Sequence, residues 1–327
     1  MAPEDVKGGD SAAQAISTSN VTTALGEAVI DSEWLASIDA VYAIFEKPQL
    51  SSEHQRLAGL VKKAVSLVEE VILEYGVEQV ALSYNGGKDC NVLIHLICAV
   101  LRRTGMRKTA PSSKSASPNP SHPLQPLPAV YITCESPFQQ VEDFVTASRQ
   151  RYNLDLVRVR GGMRSGLEDY LSGKGERRVG FETSDERNSN GHLVKAIFVG
   201  TRRTDPHGHT LTDRKPTDPG WPQVERVHPI LDWNYADVWT FLRCPLFGKG
   251  GAGSTKQERD RTATADAIGV PYCVLYDEGY TSLGSTFNTF PNPVLRDPNS
   301  GTWRPAYELQ DEALERAGRQ SQAPVSV

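Results

Sequence analysis

The 327-residue chain is poor in the features that mark several functional classes. Its five cysteines, Cys90, Cys98, Cys134, Cys244 and Cys273, stand singly, and no two form a Cys-x-x-Cys pair. That excludes a zinc ribbon or a thioredoxin-type dithiol, and the odd, patternless set fits a reducing compartment. Positive charge is not in excess. A net charge of −5 argues against a broad nucleic-acid surface. No apolar run approaches the roughly 20 residues of a membrane helix. Residues 1–30 carry Glu4, Asp5, Asp10 and Glu27 against Lys7 alone, the wrong balance for a mitochondrial presequence. Internal repeats are absent. The expectation is a cytoplasmic enzyme of small molecules, its oligomeric state open with a monomer favoured, and with neither nucleic acid nor membrane as partner. In that setting the glycosylation acceptor Asn20-Val21-Thr22 carries no meaning.

At 39 % hydrophobic the chain can bury a sizeable core once its polar ends are set aside. Residues 1–30 are rich in Ala, Ser, Thr and Gly and read as a disordered tail, and 321–327 read as a C-terminal tail. Helical spacing of apolar residues predicts helices over 32–46, 51–75, 89–103, 163–171, 235–243 and 308–319, and one opened by Pro137. Apolar runs predict strands at 78–84, 129–133, 154–159, 195–199 and 224–227. Strands alternating with helices give an α/β fold, a mostly parallel twisted sheet flanked by helices. Residues 31–320 read as a single domain. The Pro/Ser-rich stretch 107–127 and the Gly/Ser/Lys-rich stretch 247–267 read as insertions, and 173–191 as a polar loop. Gly248-Lys249-Gly250-Gly251-Ala252-Gly253 satisfies Gly-x-Gly-x-x-Gly but follows no strand, so it reads as a flexible loop.

The informative stretch is Ser83-Tyr84-Asn85-Gly86-Gly87-Lys88-Asp89-Cys90. It lies between the apolar run Val80-Ala81-Leu82 and a helical pattern. A glycine turn leading into a helix N-terminus points N–H groups at one spot and favours an anion, above all a phosphate. Lys88 can supply a point charge, and Asp89 can cap the helix or hold a metal. The common mononucleotide loop is excluded: Leu82 stands where its first Gly belongs, and Asp89 follows the lysine in place of Ser or Thr.

This loop resembles the Ser-Gly-Gly-Lys-Asp-Ser loop of the adenine nucleotide alpha-hydrolase superfamily, a Rossmann-like group that includes the PAPS reductases. Three further blocks narrow the likeness: Gly200-Thr201-Arg202-Arg203-Thr204-Asp205-Pro206, Thr217-Asp218-Pro219-Gly220-Trp221-Pro222 and Tyr280-Thr281-Ser282-Leu283-Gly284. With His228-Pro229-Ile230-Leu231-Asp232-Trp233-Asn234 between them, their order is similar to that of the fungal-type FMN adenylyltransferases. The resemblance implies that ATP and FMN are substrates, with Mg²⁺, and that the FMN phosphate attacks the ATP α-phosphorus to give FAD and pyrophosphate. It implies that Asn85 and Asp89 of the ATP-holding loop are catalytic and that Leu82, Ser83, Tyr84, Gly86, Gly87, Lys88, Glu135, Thr201 and Arg202 bind substrate. Asp205 would act at the reacting phosphates, with Asp89 and Asp205 as candidate metal ligands. Asp218, Pro219, Gly220 and Trp221 would receive the flavin, and Arg316 and Arg319 would be the C-terminal catalytic arginines.

The residues themselves agree with that chemistry. Adenylyl transfer is in-line displacement at phosphorus, so it needs alignment and positive charge more than a base. An indole such as Trp221 can pack on an isoalloxazine, and a carboxylate such as Asp218 can accept its N–H. His207, His209 and His228 read as loop histidines, not zinc ligands. A sulfonucleotide reductase of the same superfamily would need a nucleophilic cysteine in a mobile C-terminal segment. The last cysteine, Cys273, lies instead in the apolar run Val270–Tyr276.

Overall fold

The computed structural model describes residues 32–46, 52–107, 124, 126–179, 182–183, 193–248 and 269–320. The expected tails, most of both insertions and residues 249–253 of the glycine-rich loop lie outside them. Helices are α1 Ser32–Glu46, α2 Ser52–Tyr75, α3 Lys88–Arg107, α4 Gln139–Arg151, α5 Met163–Leu171 and α6 Tyr235–Leu242. Strands are β1 Val80–Ser83, β2 Leu127–Thr133, β3 Leu154–Arg160, β4 Glu176–Val179, β5 Glu182–Thr183, β6 Ala196–Phe198, β7 Arg214–Pro216 and β8 Glu225–Val227.

The sheet order is β5-β4-β3-β2-β1-β6-β8-β7. Strands β3, β2, β1, β6 and β8 are parallel, and β4, β5 and β7 add antiparallel edges. The chain winds outward from β1 through β2 to β3, then returns to the other side of β1 with β6 and β8. Beyond the carboxyl ends of β1 and β6 lies the switch point where such sheets collect ligands.

Side-chain alternation divides the core. Val80, Leu82, Ala129, Tyr131, Ala196 and Phe198 join the large cluster shared with α1, α2, α3, α4 and α6. Ala81, Val130 and Ile197 face the other way, where the described cover is chiefly Leu167 and Tyr170 of α5. One face is thickly covered and the other thinly, and that asymmetry leaves room for a ligand on the thin side.

Four readings of the sequence are corrected. Residues 308–319 form no α-helix, only short 3₁₀ turns at Ala306–Glu308 and Glu312–Leu314. The segment is docked edge-on: Thr289 bridges Arg319, and a Cβ at Gly318 would come within 2.2 Å of the Phe290 carbonyl oxygen. Arg316 and Arg319 therefore share a docked loop, not a helix face. Pro137 does not open α4. It precedes the cap Phe138 and bridges Ser285. Within 173–191 β4 and β5 pair antiparallel, and Arg214–Pro216, outside the predicted strands, is an edge strand. Both are short polar edges, whose pairing no hydrophobic period announces.

On the thick side His95 of α3 is fully buried. Its Nδ1 lies 3.2 Å from the Tyr152 hydroxyl and its Nε2 3.3 Å from Ser37 Oγ. Burial pushes this imidazole down to about 3 from its ordinary 6.5. The unfolded chain binds a proton that the fold refuses, so the contribution is full above pH 6.5 and is lost as pH falls below it. The expected loss is about 1.4 kcal/mol per pH unit. In denaturant titrations the wild type should weaken between pH 6.5 and 5 more steeply than His95→Leu; equal slopes would contradict this account.

Candidate active site

The turn Tyr84–Gly87 carries the chain from β1 into α3. Gly86 has φ +72°, where a Cβ would also strike Val145 at 2.9 Å, so this position requires glycine. Asn85 Oδ1 accepts the Gly87 N–H at 2.9 Å, and the Tyr276 hydroxyl accepts the Lys88 N–H at 2.9 Å. Two of the turn's amides are thus used to set its shape and are not left pointing outward.

Beneath the turn lies a knot of five charges. Lys88 Nζ, almost wholly buried, contacts Asp89 at 2.9 Å and Glu315 at 2.5 Å. Arg202, equally buried, contacts Asp89 at 3.1 Å, Asp205 at 2.9 Å and Glu315 at 2.6 Å. Asp205 also accepts the Arg202 N–H at 2.8 Å, so both its oxygens brace that one residue. The knot joins the β1 turn, the exit of β6 and the C-terminal segment. Thr281 Oγ1 fixes that segment by donating to the Glu315 carbonyl at 2.6 Å, and Asn292 donates to Thr281 in turn. Burial alone would raise the Asp89 carboxyl, but the charges of Lys88 and Arg202 outweigh it and hold the group below its ordinary range.

A cleft of about 390 Å³ opens over the knot. Asn85, Gly87, Lys88, Asp89, Thr201, Asp205 and Arg316 line it, with Tyr131, Ile132, Cys134 and the block Ser282–Gly284. Arg316 is exposed at its rim. Arg319 packs across Gly284, where a Cβ would lie 2.4 Å from its guanidinium, and donates to the Leu283 carbonyl at 2.6 Å. Burial, then the neighbouring Arg316 charge, push Arg319 below its ordinary value. Neither arginine has a carboxylate partner among the described residues. Arg316 lines the cleft, whereas Arg319 lines none of the clefts described here and lies behind Gly284.

A second cleft, of about 470 Å³, lies on the thinly covered side of the sheet. Val130, Ile197, Val199, Met163, Leu167 and Trp221 give it an apolar wall, with Asp218, Lys215, Arg226 and His228 among its polar groups. Asp218-Pro219-Gly220-Trp221 is a tight turn: the Trp221 N–H reaches the Asp218 carbonyl at 3.0 Å, and Gly220 has φ +81°. Proline second and glycine third are what such a turn asks for, and it presents Asp218 and Trp221 to the cleft. Pro219 and Gly220 themselves are exposed turn residues that line no cleft described here. Ile132, Thr201 and Pro206 line both clefts, which therefore meet at the switch point.

Not every expected residue reaches a cleft. Leu82 and Tyr84 are buried in the core, and the Tyr84 hydroxyl donates to Asn91. Ser83 lines the second cleft, not the first. Gly86 shapes the turn without lining either, and Arg202 lies beneath the site. Glu135 belongs to a third, neighbouring cleft with Arg158 and Arg160. Sequence reasoning missed Tyr276 and Glu315. Glu315 stands beside the noted arginines, whereas nothing near Tyr276 in sequence reports a partner 188 residues away.

No three His, Cys, Asp or Glu side chains form a ready metal cage among the described residues. His207 and His209 are exposed. Asp89 fits a different kind of site: it lines the first cleft, and its Oδ1 meets Arg202 Nε at 3.1 Å as an ion pair without a hydrogen bond. A single such carboxylate suits Mg²⁺ when substrate phosphates supply other ligands.

The phosphoadenosine phosphosulfate reductase domain model matches residues 79–245. A probable FAD synthase of Schizosaccharomyces pombe is 33 % identical over 279 residues, 84 % of this chain and 86 % of that protein. This chain belongs to the FAD synthase family. A probable FAD synthase of Caenorhabditis elegans is 32 % identical over 290 residues, 88 % of this chain, which spans only 45 % of that longer protein. Among solved structures, Candida glabrata FMN adenylyltransferase in complex with FAD and inorganic pyrophosphate superposes with a TM-score of 0.67 at 25 % identity. That match covers 89 % of this chain and 97 % of the other. No described helix is long and apolar enough to cross a membrane.

Glu315 is the one carboxylate of the knot contributed by the C-terminal segment. Glu315→Gln leaves Lys88 and Arg202 each short of a partner in a buried place, and should cost about 3 kcal/mol of unfolding free energy. Urea denaturation measures it; an unchanged midpoint would show that the knot does not hold the segment.

Proposed function

We propose that the chain transfers the adenylyl group of ATP to the FMN phosphate, forming FAD and releasing pyrophosphate. The observation that carries this reading is the pair of clefts meeting at Ile132, Thr201 and Pro206, one floored by the phosphate turn and the other apolar. Family membership and the Candida glabrata complex support it.

ATP takes the first cleft. Asn85, Gly86, Gly87 and Lys88 shape the seat of its phosphates, and Thr201 marks the side from which the nucleophile arrives. FMN takes the second cleft, with its ring between Trp221 and the apolar wall and its N–H toward Asp218. Its phosphate has a second pKa of about 6, so it arrives ionised and needs no general base. Two cations against three carboxylates leave the knot with an excess negative charge, so Lys88 and Arg202 alone do not neutralise a triphosphate. Arg316 supplies charge from the rim of the cleft, and Arg319 from behind Gly284. Asp89 would hold Mg²⁺, an ion whose chemistry when bound is to neutralise phosphate charge. Asp205 keeps Arg202 in register beneath the reacting groups.

A thiol-dependent reductase fits less well. Burial pushes the thiols of Cys90 and Cys273 up to about 12, so neither is a ready nucleophile. The five unpaired cysteines support a cytoplasmic setting. The purified chain incubated with FMN, ATP and Mg²⁺ should yield FAD and pyrophosphate in equal amounts; no FAD, or sulfite from a sulfonucleotide, would overturn the reading. Trp221→Ala should raise the KM for FMN about tenfold and leave that for ATP unchanged, whereas equal effects on both would put Trp221 outside the flavin site.

A further inference from the structure

We propose that His228 is a substrate-binding residue of the second cleft, whose Nε2 accepts a hydrogen bond from a ribityl hydroxyl of FMN. The inference rests on FMN occupying that cleft.

His228 directly follows β8, and only 1 % of it is exposed. Its backbone N–H is donated to the Asp213 carbonyl at 2.8 Å. Its Nδ1 lies 3.0 Å from the Thr212 carbonyl oxygen, an acceptor only, so Nδ1 carries the proton and Nε2 presents a lone pair. Nε2 has no partner among the described residues, yet it is not among the buried unpaired polar atoms. The opening that accounts for both facts is the second cleft, which His228 lines. A buried side chain anchored on one nitrogen, with the other left vacant, fits a ligand donor.

The surroundings keep the ring neutral. Burial lowers its proton affinity, and the Thr212 carbonyl opposes this; Arg226 and Lys215 lower it further, while Asp213 raises it. The neighbouring cations of the cleft wall, Lys215 and Arg226, are donors and cannot replace this acceptor.

Register selects the donor. Phe198 pairs with Val227, and the Val199 N–H reaches the Val227 carbonyl, so His228 sits at the level of Val199, two residues before Thr201. Asp218 and Trp221 lie at the opposite end of β8, in the turn between β7 and β8. A flavin with its ring N–H at Asp218 and its phosphate at Thr201 passes its polyol chain along His228. The donors of that chain are hydroxyls.

The test compares FMN with an analogue that keeps the ring and phosphate but carries an unhydroxylated alkyl chain. Flavin fluorescence gives Kd on the full chain. Wild type should bind FMN about tenfold more tightly than the analogue, the worth of one buried hydrogen bond, and His228→Leu should bind the two alike with its KM for ATP unchanged. Full discrimination retained by His228→Leu overturns the proposal. If that variant does not fold, ¹⁵N-histidine spectra of wild type decide: FMN should shift the unprotonated Nε2 signal and the analogue should not, and a signal unmoved by FMN overturns the proposal. Failure of wild type to bind FMN at all would overturn the functional reading itself, a result distinct from FMN binding without His228.

Discussion

The buried contact of Lys88 and Arg202 with Asp89, Asp205 and Glu315 is the constraint on which the site depends. It ties together three pieces of chain far apart in sequence: the turn after β1, the exit of β6 and the docked C-terminal segment. A buried ion pair is poor evidence for stability taken alone, because desolvation offsets much of its attraction. Here its consequence is registration. With the knot formed, Asn85 and Gly87 on one side and Arg316 on the other face a single cleft, and Thr201 stands where that cleft meets its neighbour.

The second constraint is the uneven cover of the sheet. Five helices share a core with one face, whereas the short helix α5 supplies most of the described cover on the other. The thinly covered strip over β2, β1 and β6, with Val130, Ile132 and Ile197, forms a wall of the second cleft. The winding of the sheet puts the end of that strip beside the phosphate turn. Two substrates can then lie on different sides of the strand ends with their phosphates converging, and the gain is proximity, which is most of what adenylyl transfer asks of a protein.

What the residues disclosed in advance followed from local physics. The turn at Gly86 and Gly87 was recognisable because few turns need two glycines before Lys-Asp, and the parallel strands because Val, Ile and Leu runs alternate with helical spacing. Asp218-Pro219-Gly220-Trp221 wrote its own turn type. The rest was hidden because it is not local. Arg202 reads as a substrate contact, and only the fold reveals it as the buried centre of the knot. Tyr276, in an apolar run, gave no sign that its hydroxyl would take the Lys88 amide. The segment 308–319 has helical spacing, but docking against Phe290 and Thr281 outweighed the propensity. Leu82 and Tyr84 adjoin the turn in sequence yet point into the core, because side chains on a strand alternate and only part of such a stretch can face a ligand.

The account turns on two phosphates meeting across Thr201. A crystal structure with FMN and a non-hydrolysable ATP analogue tests it most directly. The account predicts the triphosphate over Gly86–Asp89, the flavin against Trp221, and the FMN phosphate facing the α-phosphorus on the side opposite the β,γ-phosphates. A nucleotide seated away from the turn, or a flavin lodged outside the second cleft, would contradict it.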